Sequence, residues 1–274
     1  MEPVDLGRIV LSKGANPTRT YRLCLQEAVA WFADEPHSDR PRCVSPVLSQ
    51  VGRVLGDRLP DGKRQRLKDF VPALVDTVDD GRDDDRSRLA VDWLVREYAP
   101  AWLRLVPQLE LAAESLARRP AVLTASAAAE AVAGPREAVG NALYTLYGSA
   151  VWRGLRDQGT ELLHAISRRL SRNAGESAVV GTTMLAQSFI PVCGKIRLMV
   201  EATLLLAACA HATRHPGLST DQLAAAAVRK AEAEVEDAAI ELYSRLIQVR
   251  QPVSMSWLEE DLDRLLGHHT EQDG

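Results

Sequence analysis

Cysteine is scarce in this chain of 274 residues: four are present, Cys24, Cys43, Cys193 and Cys209, and no two form a CxxC pair. That excludes a small disulfide scaffold and makes a reduced, cytoplasmic setting the expectation. The opening MEPVDLGRIVLSKGANP carries Glu2 and Asp5 and no sustained apolar run, so it does not read as a signal peptide. Long apolar runs are missing too. The nearest, residues 198 to 212, is interrupted by Glu201 and falls short of the roughly 20 residues a bilayer demands, so no membrane association is expected. Charge of one sign is also lacking: 33 Lys plus Arg stand against 37 Asp plus Glu, a net charge of -4, which gives no overall field toward nucleic acid.

Motifs of common enzyme sites are absent as well. There is no GxGxxG after a strand, no GxxxxGK[ST] phosphate loop, no HExxH and no GxSxG. The acidic run Asp79 to Asp85 lacks the register of a calcium loop. The basic groups Lys63, Arg64, Arg66 and Lys68, and Arg168, Arg169 and Arg172, have no aromatic interleaving or helix-turn-helix context, so they read as partners for the carboxylates.

What the chain does contain is helical periodicity. Apolar residues at steps of three and four predict helices over Thr20–Asp34, Lys63–Val78, Arg86–Arg118, Ala121–Ala133, Pro135–Asn173, Ile196–His215 and Ser219–Val249. Ser45 followed by Pro46 predicts a further helix start, running to Gly56. Ser254 or Ser256 would begin a last helix through Trp257, Leu258, Leu262 and Leu265. Breaks are expected at Pro72, Pro100 and Pro107 and near Gly148 or Gly159; residues 178 to 195 read as irregular. The fold class is therefore all-α, a compact multi-helix bundle or an irregular orthogonal array. Residues 1 to 19 form an arm, 20 to 266 one helical domain with a subdomain boundary near residue 120 as the alternative, and 267 to 274 a frayed tail. The second half is rich in alanine, whose small side chain permits close helix packing but buries little area. Larger anchors, Tyr144, Tyr147, Trp152, Leu155, Leu162 and Ile166, are expected to compensate.

The most distinctive segment is CLQEAVAWFADEPHSDRPRC. Cys24 and Glu27 lie three apart on one side of a helix, and a proline-bounded loop can return His37, Asp39 or Cys43 to them. These five residues offer mixed sulfur, nitrogen and oxygen donors of the kind zinc accepts, or a thiol site. The nineteen-residue interval from Cys24 to Cys43 is not a standard zinc spacing, and the preferred reading is structural. In it Cys24 is a buried small residue, Glu27 caps or pairs, and Ser38 and Asp39 hold the turn. Cys24→Ser would then cost about 1 to 3 kcal/mol unless a new hydrogen bond forms.

The segment also resembles the opening of a family of actinobacterial and actinophage proteins, Cys-Leu-x-Glu-Ala followed by Glu-Pro-x-Ser-Asp-x-Pro-x-Cys. The matching residues are Cys24, Leu25, Glu27 and Ala28, then Glu35, Pro36, Ser38, Asp39, Pro41 and Cys43. The likeness continues through Asp57, Leu59, Pro60 and Asp61, through Asp92 to Leu94, Arg96 and Pro100 to Leu103, and at Glu241 to Ile247. The chain departs at His37, where the family often has tryptophan, and at Arg40, where it often has histidine. The resemblance implies a helical protein and carries no particular activity.

Two further places hold chemistry-bearing side chains. His211 and His215, four apart in CAHATRH, can meet on one helix face as a metal pair or lie as cations at a helix end, with Cys209 pointing elsewhere. Cys193 and Lys195 flank Gly194 in the irregular stretch. No cofactor is expected, with a bound metal as the alternative. The functional expectation is a helical interaction or accessory protein that works by binding a protein partner or a second copy of itself through the Ser219–Val249 and Trp257 surfaces, or a small molecule. The alternative is a helical enzyme using a metal or thiol in the Cys24–Cys43 region.

Overall fold

The computed structural model describes residues 5–175, 177 and 187–249, and over these the chain is all-α, an irregular array of helices. The predicted last helix at Trp257 and the tail at 267–274 lie outside the described residues. Among the described residues the only extended pairing is a two-residue parallel bridge, Val10–Leu11 (β1) with Arg22–Leu23 (β2). It lays the N-terminal segment on the helices and buries Ile9, Leu11 and Leu23.

The first half runs through α1 (Leu25–Phe32), α2 (Pro46–Arg58), α3 (Asp61–Arg64), α4 (Val71–Leu74), α5 (Asp83–Trp93), α6 (Ala99–Leu103) and α7 (Glu110–Ala117). The helix predicted from Thr20 starts only at Leu25, because Arg22 and Leu23 are committed to β1 and Cys24 has the extended backbone of an N-cap. Ser45 caps α2 as its sequence predicts: Oγ accepts the Leu48 N–H at 3.3 Å, and Pro46 occupies the first turn, where no N–H is missed. The stretch predicted as one helix over 63–78 is divided by a 3₁₀ segment, Gln65–Phe70, with Pro72 in the first turn of α4.

Between α5 and α6 the chain widens into a π turn, Leu94–Tyr98, ahead of Pro100. Trp93, Tyr98 and Trp102 form a buried ladder across it, with ring centroids 5.6 and then 6.0 Å apart. The basic groups beyond α2 serve the fold. Lys63 pairs with Glu236 at 3.2 Å, Arg66 pairs with Asp237 at 2.6 Å, and the buried Arg64 donates to the Leu59 carbonyl at 2.6 Å.

The second half comprises α8 (Ala125–Ala131), α9 (Ala133–Tyr147), α10 (Ala150–Leu155), α11 (Gly159–Leu170), α12 (Ile190–Arg214) and α13 (Thr220–Gln248). Ser149 caps α10 after the break at Gly148, and a reciprocal box of Ser219 and Gln222 opens α13. Residues 190 to 195, expected to be irregular, are the first turns of α12; Pro191 is tolerated there because the first-turn N–H has no intrahelical partner. No helix among the described residues is long and apolar enough to cross a membrane.

Two expectations about this half need correction. Tyr144 is 83% exposed and Tyr147 46% exposed, so neither anchors the core; α9 turns Val139 inward instead, and Tyr147 packs on Trp152 with centroids 4.9 Å apart. The apolar face of α13, from Leu223 through Val235, Ala239 and Leu242 to Leu246, is buried within the chain, so it is not open to a second copy. Its Tyr243 hydroxyl donates to the Leu48 carbonyl at 3.0 Å and ties α13 to α2. Gly52 permits that approach: a Cβ there would meet the Tyr243 hydroxyl and sit 2.7 Å from Gln26 Nε2.

Candidate functional site

The structure brings Cys24, Glu27 and His37 together around a residue the sequence reading passed over, Asn16. Cys24 is the N-cap of α1: its Sγ accepts the Glu27 N–H at 3.5 Å, and Glu27 Oε2 accepts the Cys24 N–H at 2.8 Å. The same carboxylate accepts the Asn16 N–H at 2.6 Å and its Nδ2 at 2.8 Å. His37 Nε2 donates to the Asn16 carbonyl at 2.8 Å and stands 3.8 Å from Glu27 Oε1. Cys43 belongs to a different set of contacts. Its N–H donates to Glu35 at 2.9 Å, and its carbonyl accepts from the N–H groups of Thr77 and Val78. Ser38 holds the turn by accepting the Arg40 N–H at 3.0 Å. Asp39 makes no hydrogen bond or ion pair among the described residues; Glu35 does the work expected of it, accepting both Arg42 and Cys43 N–H groups.

This arrangement is a clasp that ties the N-terminal segment to the start of α1. Burial pushes the Cys24 thiol to about 12, and burial together with the Glu35 carboxylate pushes Cys43 to about 11. Both shifts favour the thiol over the thiolate that attacks or ligates. Among the described residues no group of three or more His, Cys, Asp or Glu side chains is placed to hold a metal. The capping role also revises the expected cost of Cys24→Ser. Serine is a favoured N-cap, and its Oγ can accept the Glu27 N–H, so the variant is expected to melt within about 1 kcal/mol of the parent, measured by thermal denaturation.

At the end of α12 the rings of His211 and His215 meet with centroids 4.4 Å apart and their planes tilted by 40°. Burial, and then the neighbouring His215, Arg214 and Lys230, hold His211 below the ordinary histidine value, which works against the helix-end cation expected from sequence. The two rings border different spaces. His211 lines a cavity of about 560 Å³ together with Cys209, which was expected to point elsewhere; His215 faces a shallower recess beside Pro216 and Gly217. Burial pushes Cys209 to about 11.

The 560 Å³ cavity lies between α9, α12 and α13, under Val151 of α10 and the Leu105–Gln108 link. Ala138 and Ala142 come from α9, Ala207 and Ala210 from α12, and Ala226 and Ala227 from α13. Polar groups are few: Asn141, Thr145, Ser149 and Thr213 among them, with Arg214 and Lys230 as the charged members and no Asp or Glu. Arg214 Nε donates to the Ala210 carbonyl at 3.2 Å, but neither Arg214 nor Lys230 has an acidic partner among the described residues. An open groove of about 620 Å³ adjoins it, sharing His211, Ala226 and Lys230. Alanines at these positions suggest close packing when read alone. The available signal was the spacing of Ala207, His211 and Arg214, and of Ala226 and Lys230, which sets small and basic residues on one helical face.

Comparison with family models, with curated proteins and with solved structures finds no match to the chain. The resemblance of its opening segment therefore rests on the residues named above.

Proposed function

We propose that this protein acts by binding, and that the cavity between α9, α12 and α13 takes a small amphiphile with an apolar body and an anionic head. One observation carries the reading: an apolar space of about 560 Å³, of ligand size, whose charged lining residues are cations without acidic partners. An apolar body entering it gains roughly 25 cal/mol for each Å² removed from water, and an anionic head gains charge-assisted hydrogen bonds from Arg214 and Lys230. The enzymatic alternative at Cys24–Cys43 finds less support, since both cysteines are shifted toward the thiol form and Glu27 is spent on backbone amides. Self-association through α13 is disfavoured by the burial of its apolar face.

Titration with monomeric dodecanoate, followed by displacement of anilinonaphthalene sulfonate fluorescence, tests this reading. The parent is expected to bind, and Ala207→Leu, which places a larger side chain in the cavity, to weaken binding by at least about ten-fold while leaving the fold intact by circular dichroism. A folded parent that binds neither compound would sink the proposal.

A further inference from the structure

Resting on the reading above, we infer that the ligand's head is a phosphate monoester, and that it sits in the groove between α11 and α13 rather than at the mouth of the cavity. The groove and the cavity share His211, Ala226 and Lys230, so a single ligand can extend from one into the other. Arg169, Arg229 and Lys230 line the groove against a single carboxylate, Asp221. That carboxylate is already engaged by Arg168, whose Nη2 lies 3.3 Å from Asp221 Oδ1. Arg169 donates only to the Asp221 backbone carbonyl, across 3.5 Å, and Arg229 and Lys230 have no acidic partner among the described residues.

The charge count decides the class of head. A carboxylate bears one charge and two oxygens, and Arg214 with Lys230 at the cavity mouth suffice to pair it. The adjoining lobe adds two guanidinium groups, which bring planar, forked donors that match the oxygens of a phosphate. A phosphate monoester is close to a dianion at neutral pH and carries three terminal oxygens, enough for Arg169, Arg229 and Lys230 together.

The test compares dodecyl phosphate, dodecanoate and inorganic phosphate, each kept monomeric, by calorimetric titration at about pH 8, where the monoester is dianionic. The parent is expected to bind dodecyl phosphate at least about ten-fold more tightly than dodecanoate, with inorganic phosphate far weaker than either. In the double variant Arg169→Gln/Arg229→Gln, dodecyl phosphate should fall to the level of dodecanoate while dodecanoate changes by less than about two-fold. Both substituted residues are exposed and outside the cavity lining, so an unchanged melting temperature accompanies that loss. Equal affinity for the two amphiphiles in the parent, or an equal effect of the double variant on both, would overturn the phosphate assignment and leave the cavity reading standing. Binding of neither amphiphile overturns both, as does capture by anionic phospholipid vesicles without binding of monomeric ligand.

Discussion

Glu27→Ala is expected to lower folding stability by about 3 to 5 kcal/mol, measured by urea denaturation, and to release the N-terminal segment to limited proteolysis between Ser12 and Thr20. The carboxylate is 1% exposed and is the acceptor for three donors: the N–H of Cys24 and both the N–H and Nδ2 of Asn16. Truncation strands the buried Cys24 N–H and the part-buried Asn16 N–H, while Asn16 Nδ2 keeps only its longer contacts to Ser12 Oγ and the Gly14 carbonyl; each buried unpaired donor costs about 1 to 3 kcal/mol. The loss does not stop at the cap. Asn16 lies between β1 and β2, so freeing it loosens the bridge that keeps Ile9 and Leu11 out of water. Glu27→Gln keeps one acceptor oxygen and should fall between parent and alanine variant. A midpoint unchanged in Glu27→Ala would show that the clasp contributes nothing to the fold.

Arg86→Ala should be of similar size, about 3 to 5 kcal/mol, for a different reason. Arg86 is wholly enclosed and joins three pieces of chain. It holds both carboxylate oxygens of Asp80, reaches Asp83 at 3.0 Å, and its Nε donates to the Leu246 carbonyl of α13 at 3.1 Å. Its removal strands the acceptor at the end of α13 and leaves Asp80 without its counter-charge. The pH dependence separates this effect from lost packing. Burial works against the charge on Asp80, but hydrogen bonds from Arg86 and from the Arg82 N–H outweigh it and hold its pKa below the ordinary value. A depressed carboxylate adds stability that is fully present above the ordinary carboxyl range and disappears as pH falls through the lowered value. The parent should therefore lose stability below about pH 4, and Arg86→Ala should lose less over the same interval. Glu35, Asp61 and Asp237 also titrate below the ordinary range, so the difference between parent and variant is what reports the contacts made by Arg86. Parallel pH curves would show that the pair is not coupled to folding.

Helix starts were the most legible features of the sequence. A hydroxyl followed by proline at Ser45–Pro46, and a serine three residues before Gln222, each specify local hydrogen bonds that need no distant partner. The extended Arg22–Leu23 was illegible because its pairing strand is only two residues long and leaves no alternating pattern behind. Glu27 could be read as a cap from its offset to Cys24, but its second duty toward Asn16 depends on a loop that folds back. The cavity was the hardest to foresee. It arises from the distance between three alanine-bearing helices, and an alanine face looks the same in sequence whether its neighbour closes on it or stands away.

The π turn at Leu94–Tyr98 acts as a phase shift in the middle of the aromatic ladder. Five residues along an ordinary α-helix rotate by about 500°, which would set Trp93 and Tyr98 roughly 140° apart. The wider turn returns Tyr98 to the side of Trp93, and the normal four-residue step then carries Trp102 onto the same face. Straightening the turn into regular α-helix with every residue kept would swing Trp102 and Leu103 by about 100° out of their buried positions, whereas losing one residue between Trp93 and Tyr98 would leave the three rings at four-residue steps on one face. At this point the chain carries one residue more than a regular helix needs, and the core behind it keeps its phase because the backbone widens locally to absorb that residue.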